Sequence, residues 1–183
     1  MANNSKKYDN RGAKVKARRI TEIRRLADHT RKVLNQDGPY IDVIRILEHQ
    51  LQDIGINYDI RPTSELNGAH GITYPNEALI VLSDEVVEGA SEGNGRDRFT
   101  IAHEIGHLLM HDNVSFARQS VAASHRVFED SEWQADTFAA EFLMPVAFVR
   151  KLCGSTFDII QTFGVSNKAA FYRWTKLEKE GLL

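Results

Sequence analysis

A chain of 183 residues, 42% apolar and 26% charged, has room for one compact domain with a small appendage and excludes two large domains. Its longest apolar run, residues 142–149, contains Pro145 and is too short to span a bilayer. The opening MANNSKKYDNRG has no secretory core and the single Cys153 allows no intrachain disulfide, so a reducing, cytoplasmic setting without membrane contact is expected. The net charge of −2 divides unevenly: residues 1–32 set eleven Lys/Arg against Asp9, Glu22 and Asp28, a net +8, whereas the remainder sets twelve against twenty-two acidic residues, a net −10.

Residues 1–17 read as a basic, flexible arm, either simply solvated or docking on nucleic acid or an acidic partner. The arm has too few apolar residues to join a core, which makes it dispensable for folding and metal binding on this reading. Ile20, Ile23, Leu26, Val33 and Leu34 recur at helical spacing, and Asp37-Gly38-Pro39 ends that helix. Ile41, Ile44, Leu47 and Leu51 mark a second helix, broken near Gly55. Three short strands follow, over 56–60, 69–74 and 78–82. Residues 88–96 (EGASEGNGR) read as a flexible loop, 99–110 as a strongly apolar helix, 113–129 as irregular, and 132–144 as a helix stopped by Pro145.

Shorter helices are expected around 146–152, 156–163 and 167–180. The last two, joined through Gly164 and capped by Ser166, have a helix-turn-helix pattern. Lys168, Arg173 and Lys176 are candidates to face phosphates, while Phe171, Trp174 and Leu177 point to a packed last helix. The domain plan is an arm over 1–17, a main domain over 18–152 and a helical C-terminal segment over 153–183.

The chemistry concentrates in His103-Glu104-Ile105-Gly106-His107. Helical residues four apart share a face one turn apart, so two imidazoles there converge on one Zn²⁺. Glu104 is placed to take a proton from a water on that ion. The flanks Phe99, Ile101, Ala102, Ile105, Leu108, Leu109 and Met110 bury the helix, and polar groups inside such a helix need partners. Small Gly106 lets another element approach.

Asn113 stands where a longer motif would place a third histidine, so the third ligand is sought among later carboxylates. Glu132 is preferred over Glu129 and Asp130, with Asp136 one turn on accepting from the distal nitrogen of a ligand histidine. His111 lies too far along the helix to share the ion with both histidines and reads as a capping or supporting residue. His125 is a candidate oxyanion or substrate contact, or a surface histidine.

The stretch Arg98-Phe99-Thr100-Ile101-Ala102-His103-Glu104-Ile105-Gly106-His107-Leu108-Leu109-Met110-His111 resembles the signature of the ImmA/IrrE family of metallopeptidases. So does Glu132-x-x-Ala135-Asp136-x-Phe138-Ala139-Ala140-Glu141-Phe142-Leu143-Met144-Pro145. The resemblance covers residues 40–180 and implies an α+β, zincin-like fold, mostly helical with a small three-stranded sheet. It also implies a gluzincin-type zinc site of His103, His107 and Glu132, with Glu104 as base. Asp136 stands where many members have Asn.

Members typically cleave a helix-turn-helix repressor, relieving repression of mobile elements or stress genes, and others sit beside antitoxin-like regulators. A repressor-cleaving endopeptidase is therefore expected. The alternatives are a non-catalytic zinc protein or toxin-like component acting by sequestration, and a DNA-binding regulator with the peptidase site as a switch.

Overall fold

A computed structural model describes residues 12–111 and 125–183. Eight α-helices and three strands are found among them: α1 Ile20–Val33, α2 Val43–Arg45, β1 Asn57–Arg61, β2 Gly71–Tyr74, β3 Leu79–Ser83, α3 Asp84–Ser91, α4 Gly95–Met110, α5 Ser131–Leu143, α6 Val146–Leu152, α7 Thr156–Phe163 and α8 Asn167–Lys179. The α+β architecture expected from the sequence is present. The sheet has the order β1-β3-β2, with β1 parallel and β2 antiparallel to β3. None of the described helices is long and apolar enough to cross a membrane.

Two segments between α1 and α4 differ from the sequence reading. The second helix is not a regular amphipath: α2 passes into a π turn at Ile46–Gln50 and a 3₁₀ turn at Gln52–Ile54, ending on left-handed Gly55. The loop expected over 88–96 is mostly helical. Ser83 caps α3 through Val86 N–H, and α3 buries Val86 and Ala90. Only 92–94 separate it from α4, whose N-cap is Asn94. The glycines reflect crowding here: a Cβ on Gly89 would lie 2.2 Å from Asp97 Oδ2, and one on Gly95 2.4 Å from Ser166 N.

The core sits where α4 and α5 cross. Gly106 brings them together, since a Cβ there would lie 3.0 Å from the Phe138 ring, which stacks on Phe142 at 5.5 Å. Buried polar side chains fasten the remaining helices to this pair. Arg98 on α4 donates to the carbonyls of Ile41, Phe163 and Gly164 at 2.9–3.1 Å and reaches the Tyr40 hydroxyl. Glu141 on α5 accepts bidentate pairs from Arg173 (2.7 and 2.8 Å) and Arg24 (2.9 Å each), tying α8 and α1 to α5.

Arg173 is thus a buried ion-pair partner, not a phosphate-facing residue. Phe171, expected in the packed face, is instead exposed, while Leu177 is buried. The N-terminal segment also departs from the free arm expected: from Gly12 onward it is bonded along the start of α5, with Ser131 N donating to Ala13 O at 3.0 Å and Val15 N to Glu129 O at 2.8 Å.

Candidate metal centre

His103, Glu104 and His107 lie on the buried stretch of α4, and Glu132 lies in the first turn of α5. Asp130 starts α5 by accepting from Trp133 N at 3.0 Å, which sets Glu132 opposite the two histidines. The imidazole Nε2 atoms of His103 and His107 are 2.9 Å apart. Glu132 Oε2 is 3.3 Å from the first and Glu132 Oε1 3.2 Å from the second.

Three donors at ~2.0–2.1 Å from a tetrahedral Zn²⁺ stand about 3.3 Å apart. The spacing and chemistry of this set therefore fit such an ion, and two imidazoles with one carboxylate leave one position open. The donors are brought together by the fold: ligand atoms of His103, His107 and Glu132 all lie within 4.8 Å of one another.

The electrostatics match a cation site. Burial disfavours the His103 imidazolium, but hydrogen bonds to Asp136 and Glu132 outweigh it, and the pKa is pushed up to about 10. Burial raises the Glu132 pKa, yet the two histidines outweigh it and hold the carboxyl far below the ordinary range. Negative charge is gathered where a divalent ion would answer it. Asp136 Oδ1 is 2.9 Å from His103 Nδ1, the contact expected from the one-turn spacing of Glu132 and Asp136.

The rival carboxylates are engaged elsewhere. Asp130 caps α5 and also accepts from Gly12 N at 3.1 Å, while Glu129 Oε2 accepts from Arg126 N at 3.0 Å. His125 Nε2 is 3.1 Å from Asp130 Oδ2, so this histidine is a partner of the α5 cap. Of the stretch read as irregular, residues 113–124 lie outside the described residues, and Val127–Glu129 form a 3₁₀ turn.

Several site residues were not picked out from the sequence. Glu104 is buried, and its Oε2 accepts from the Thr73 hydroxyl at 2.6 Å. Gly71 on the same strand leaves the space Glu104 fills: a Cβ there would lie 2.7 Å from Glu104 Cγ. Behind His107, its Nδ1 is 2.9 Å from His111 Nδ1, and His111 Nε2 is 3.3 Å from Gln134 Oε1. Burial and the neighbouring His107 push the His111 pKa down to about 3. A glycine and a threonine in a strand carry no sequence signal for such contacts. Gln134 carries a faint one, as an amide on a helix otherwise buried by apolar residues.

The family profile of the IrrE N-terminal-like domain, Peptidase_M78, matches residues 60–175. The chain belongs to this family. A metallopeptidase family implies a bound metal, and the His-His-Glu cluster supplies a place for one. Among solved structures, a Mycobacterium tuberculosis transcriptional regulator is similar at a TM-score of 0.55 and 16% identity, over 84% of this chain and 46% of that one. The chain thus spans about half the length of that regulator, and at this identity the likeness speaks for the fold alone. No curated protein sequence matches.

Proposed function

We propose that this Peptidase_M78 member is a cytoplasmic zinc endopeptidase that cleaves a helix-turn-helix repressor or antitoxin-like regulator encoded nearby. The observation that carries the reading is the placement of Glu104. A zinc that only holds a fold together needs no base, whereas here a buried carboxylate adjoins His103 and is clamped by Thr73.

When bound, Zn²⁺ supplies Lewis acidity that activates a water and polarises the scissile carbonyl. His103, His107 and Glu132 are the residues that would hold the ion. Thr73 engages Glu104 Oε2, leaving Oε1 to take a proton from the attacking water and pass it to the leaving amine. Asp136 orients His103 through Nδ1. Among the described residues β2, which carries Gly71 and Thr73, pairs on one side only, so its outer edge suits an extended peptide.

A cleft of about 760 Å³ beside Asp136 supports a polypeptide substrate with an acidic segment. Arg96, Lys168 and Lys176 contribute positive charge to it, and Lys176 lies 5.8 Å from the centre of the Trp133 ring. Arg173 also lines the cleft, but Glu141 takes its charge.

Co-expressing wild-type or Glu104→Gln protein with the neighbouring regulator tests the proposal. Wild type should shorten the regulator on an immunoblot and the variant should not, since losing a general base costs ~10²–10⁴-fold in rate. A regulator that stays full-length but is inactivated equally by both forms would replace cleavage with sequestration.

A further inference from the structure

The N-terminal segment does more than cover the start of α5. Beyond the pairings of Ala13 and Val15, Arg18 N donates to Phe128 O at 3.1 Å and Ala13 N to Ser131 Oγ at 3.0 Å. The fit is close, since a Cβ on Gly12 would lie 2.3 Å from Ser131 Oγ. This strap abuts the candidate metal centre at Gly12, where a Cβ would lie 2.8 Å from Glu132 Cγ, and reaches behind it through the carbonyl oxygen of Lys16, which accepts from Gln134 Nε2 at 2.8 Å. The same nitrogen donates to Phe128 O, also at 2.8 Å.

Two carbonyls can only accept, so they force the amide nitrogen of Gln134 to face them and its oxygen to face the other way. That oxygen meets His111 Nε2 at 3.3 Å. An amide oxygen also only accepts, so Nε2 of His111 carries a hydrogen. The ring is almost fully buried, and the Arg18 guanidinium lies close by, 3.4 Å from the carbonyl of Met110. With its hydrogen on Nε2, the neutral ring presents its lone pair at Nδ1, as the reading of His107 as a ligand through Nε2 also requires. His107 Nδ1, 2.9 Å away, must then donate. In neutral imidazole the hydrogen on Nδ1 leaves the lone pair on Nε2, the atom facing His103 and Glu132.

We propose that the strap, acting through Gln134 and His111, sets the tautomer and ring orientation of His107 and is thereby a working part of the metal centre. The inference rests on the reading of His107 as a ligand. The two histidines are then held by different means: His103 by the carboxylate of Asp136, His107 by a neutral relay that ends on the backbone of a distant segment. Gln134 and His111 are positioning residues.

The test is zinc affinity of the full chain, measured by competition with a chromogenic chelator, without any assay of peptide cleavage. Gln134→Leu and His111→Phe should each weaken zinc on the order of 10–100-fold, the usual effect of losing a partner behind a ligand. Val15→Pro, which removes the N–H donated to Glu129 O and loosens the strap away from Glu132, should weaken it in the same direction. His111→Asn places an amide oxygen near the position of Nδ1 and should recover most of the affinity lost in His111→Phe. Simple loss of packing would not be repaired by this smaller residue.

Nitrogen-15 NMR of the zinc-loaded protein should show a slowly exchanging His107 Nδ1–H in wild type and faster exchange with water in Gln134→Leu. If His107→Ala abolishes zinc while Gln134→Leu and His111→Phe bind it as wild type does, the relay is refuted and the ligand reading stands. If His107→Ala itself keeps zinc at wild-type affinity, the ligand reading falls and the relay with it.

Discussion

Gly71→Ala isolates the position of the proposed base from its chemistry. Gly71 has no left-handed backbone, so alanine meets no conformational penalty there and acts only through its added methyl. That Cβ would lie 2.7 Å from Glu104 Cγ and 2.9 Å from both Cδ and Oε1. Ordinary contact requires Glu104 to withdraw by about 1 Å. The strand cannot easily yield instead, because Gly71 is in register with Leu82 on β3 and His70 O accepts from Ser83 N at 3.0 Å.

Withdrawal breaks the 2.6 Å bond from Thr73 to Glu104 Oε2. A hydrogen bond to a charged group contributes ~1.5–3 kcal/mol, and a 1 Å misplacement of a catalytic group costs ~10²-fold in rate. The expected result is kcat lowered by about two orders of magnitude on the regulator substrate. Zinc affinity should be unchanged, because Glu104 is not among the three donors. Gel-based cleavage rates and chelator competition on the same preparation provide the two readouts. A folded Gly71→Ala protein with wild-type kcat would show that Glu104 is not the base or is not held by this strand.

His103→Ala or His107→Ala should abolish binding of one zinc per chain, read by metal analysis, whereas Glu129→Ala should leave it intact because that carboxylate serves Arg126 N. Lys176→Glu, which reverses a charge in the cleft beside Asp136, should raise KM for an acidic-segment substrate while sparing zinc affinity; an unchanged KM would exclude the cleft from recognition. Glu141→Ala strands the fully buried Arg173 guanidinium and should cost ~3–5 kcal/mol in chemical denaturation.

Glu141 also sets an acid limit on stability. Burial raises its pKa, but Arg173 and Arg24 outweigh that and hold it below the ordinary value. Its contribution is therefore full above the unfolded pKa of about 4.3 and is lost as pH falls through the lower folded value. Thermal melts of wild type against Glu141→Gln from pH 7 downward should converge in that acid window.

What could be read from the sequence follows the reach of local geometry. The helix period alone placed His103 and His107 on one face of α4, and Glu132 and Asp136 on one face of α5. Only the packing of the two helices was needed to bring the pairs together. The composition of 88–96 misled because glycine was taken as freedom, whereas Gly89 and Gly95 are places where neighbouring chain leaves no room for a Cβ. Arg173 looked like a surface cation because its partner Glu141 lies 32 residues away. The available clue was Glu141 itself, a carboxylate set against buried Phe142 that needed an opposite charge.

The strap was misjudged for a deeper reason. A polar, basic segment contributes little to a core through its side chains, and that is all composition can weigh. Residues 12–18 are held instead through their N–H and C=O groups, which nearly every residue type carries alike. No count of lysines distinguishes a solvated arm from one whose backbone meets buried donors. The decisive signal lay on the other side of the contact: Gln134 and His111 are buried polar groups whose bonds had to end somewhere, and tracing them leads from α4 to the carbonyl of Lys16.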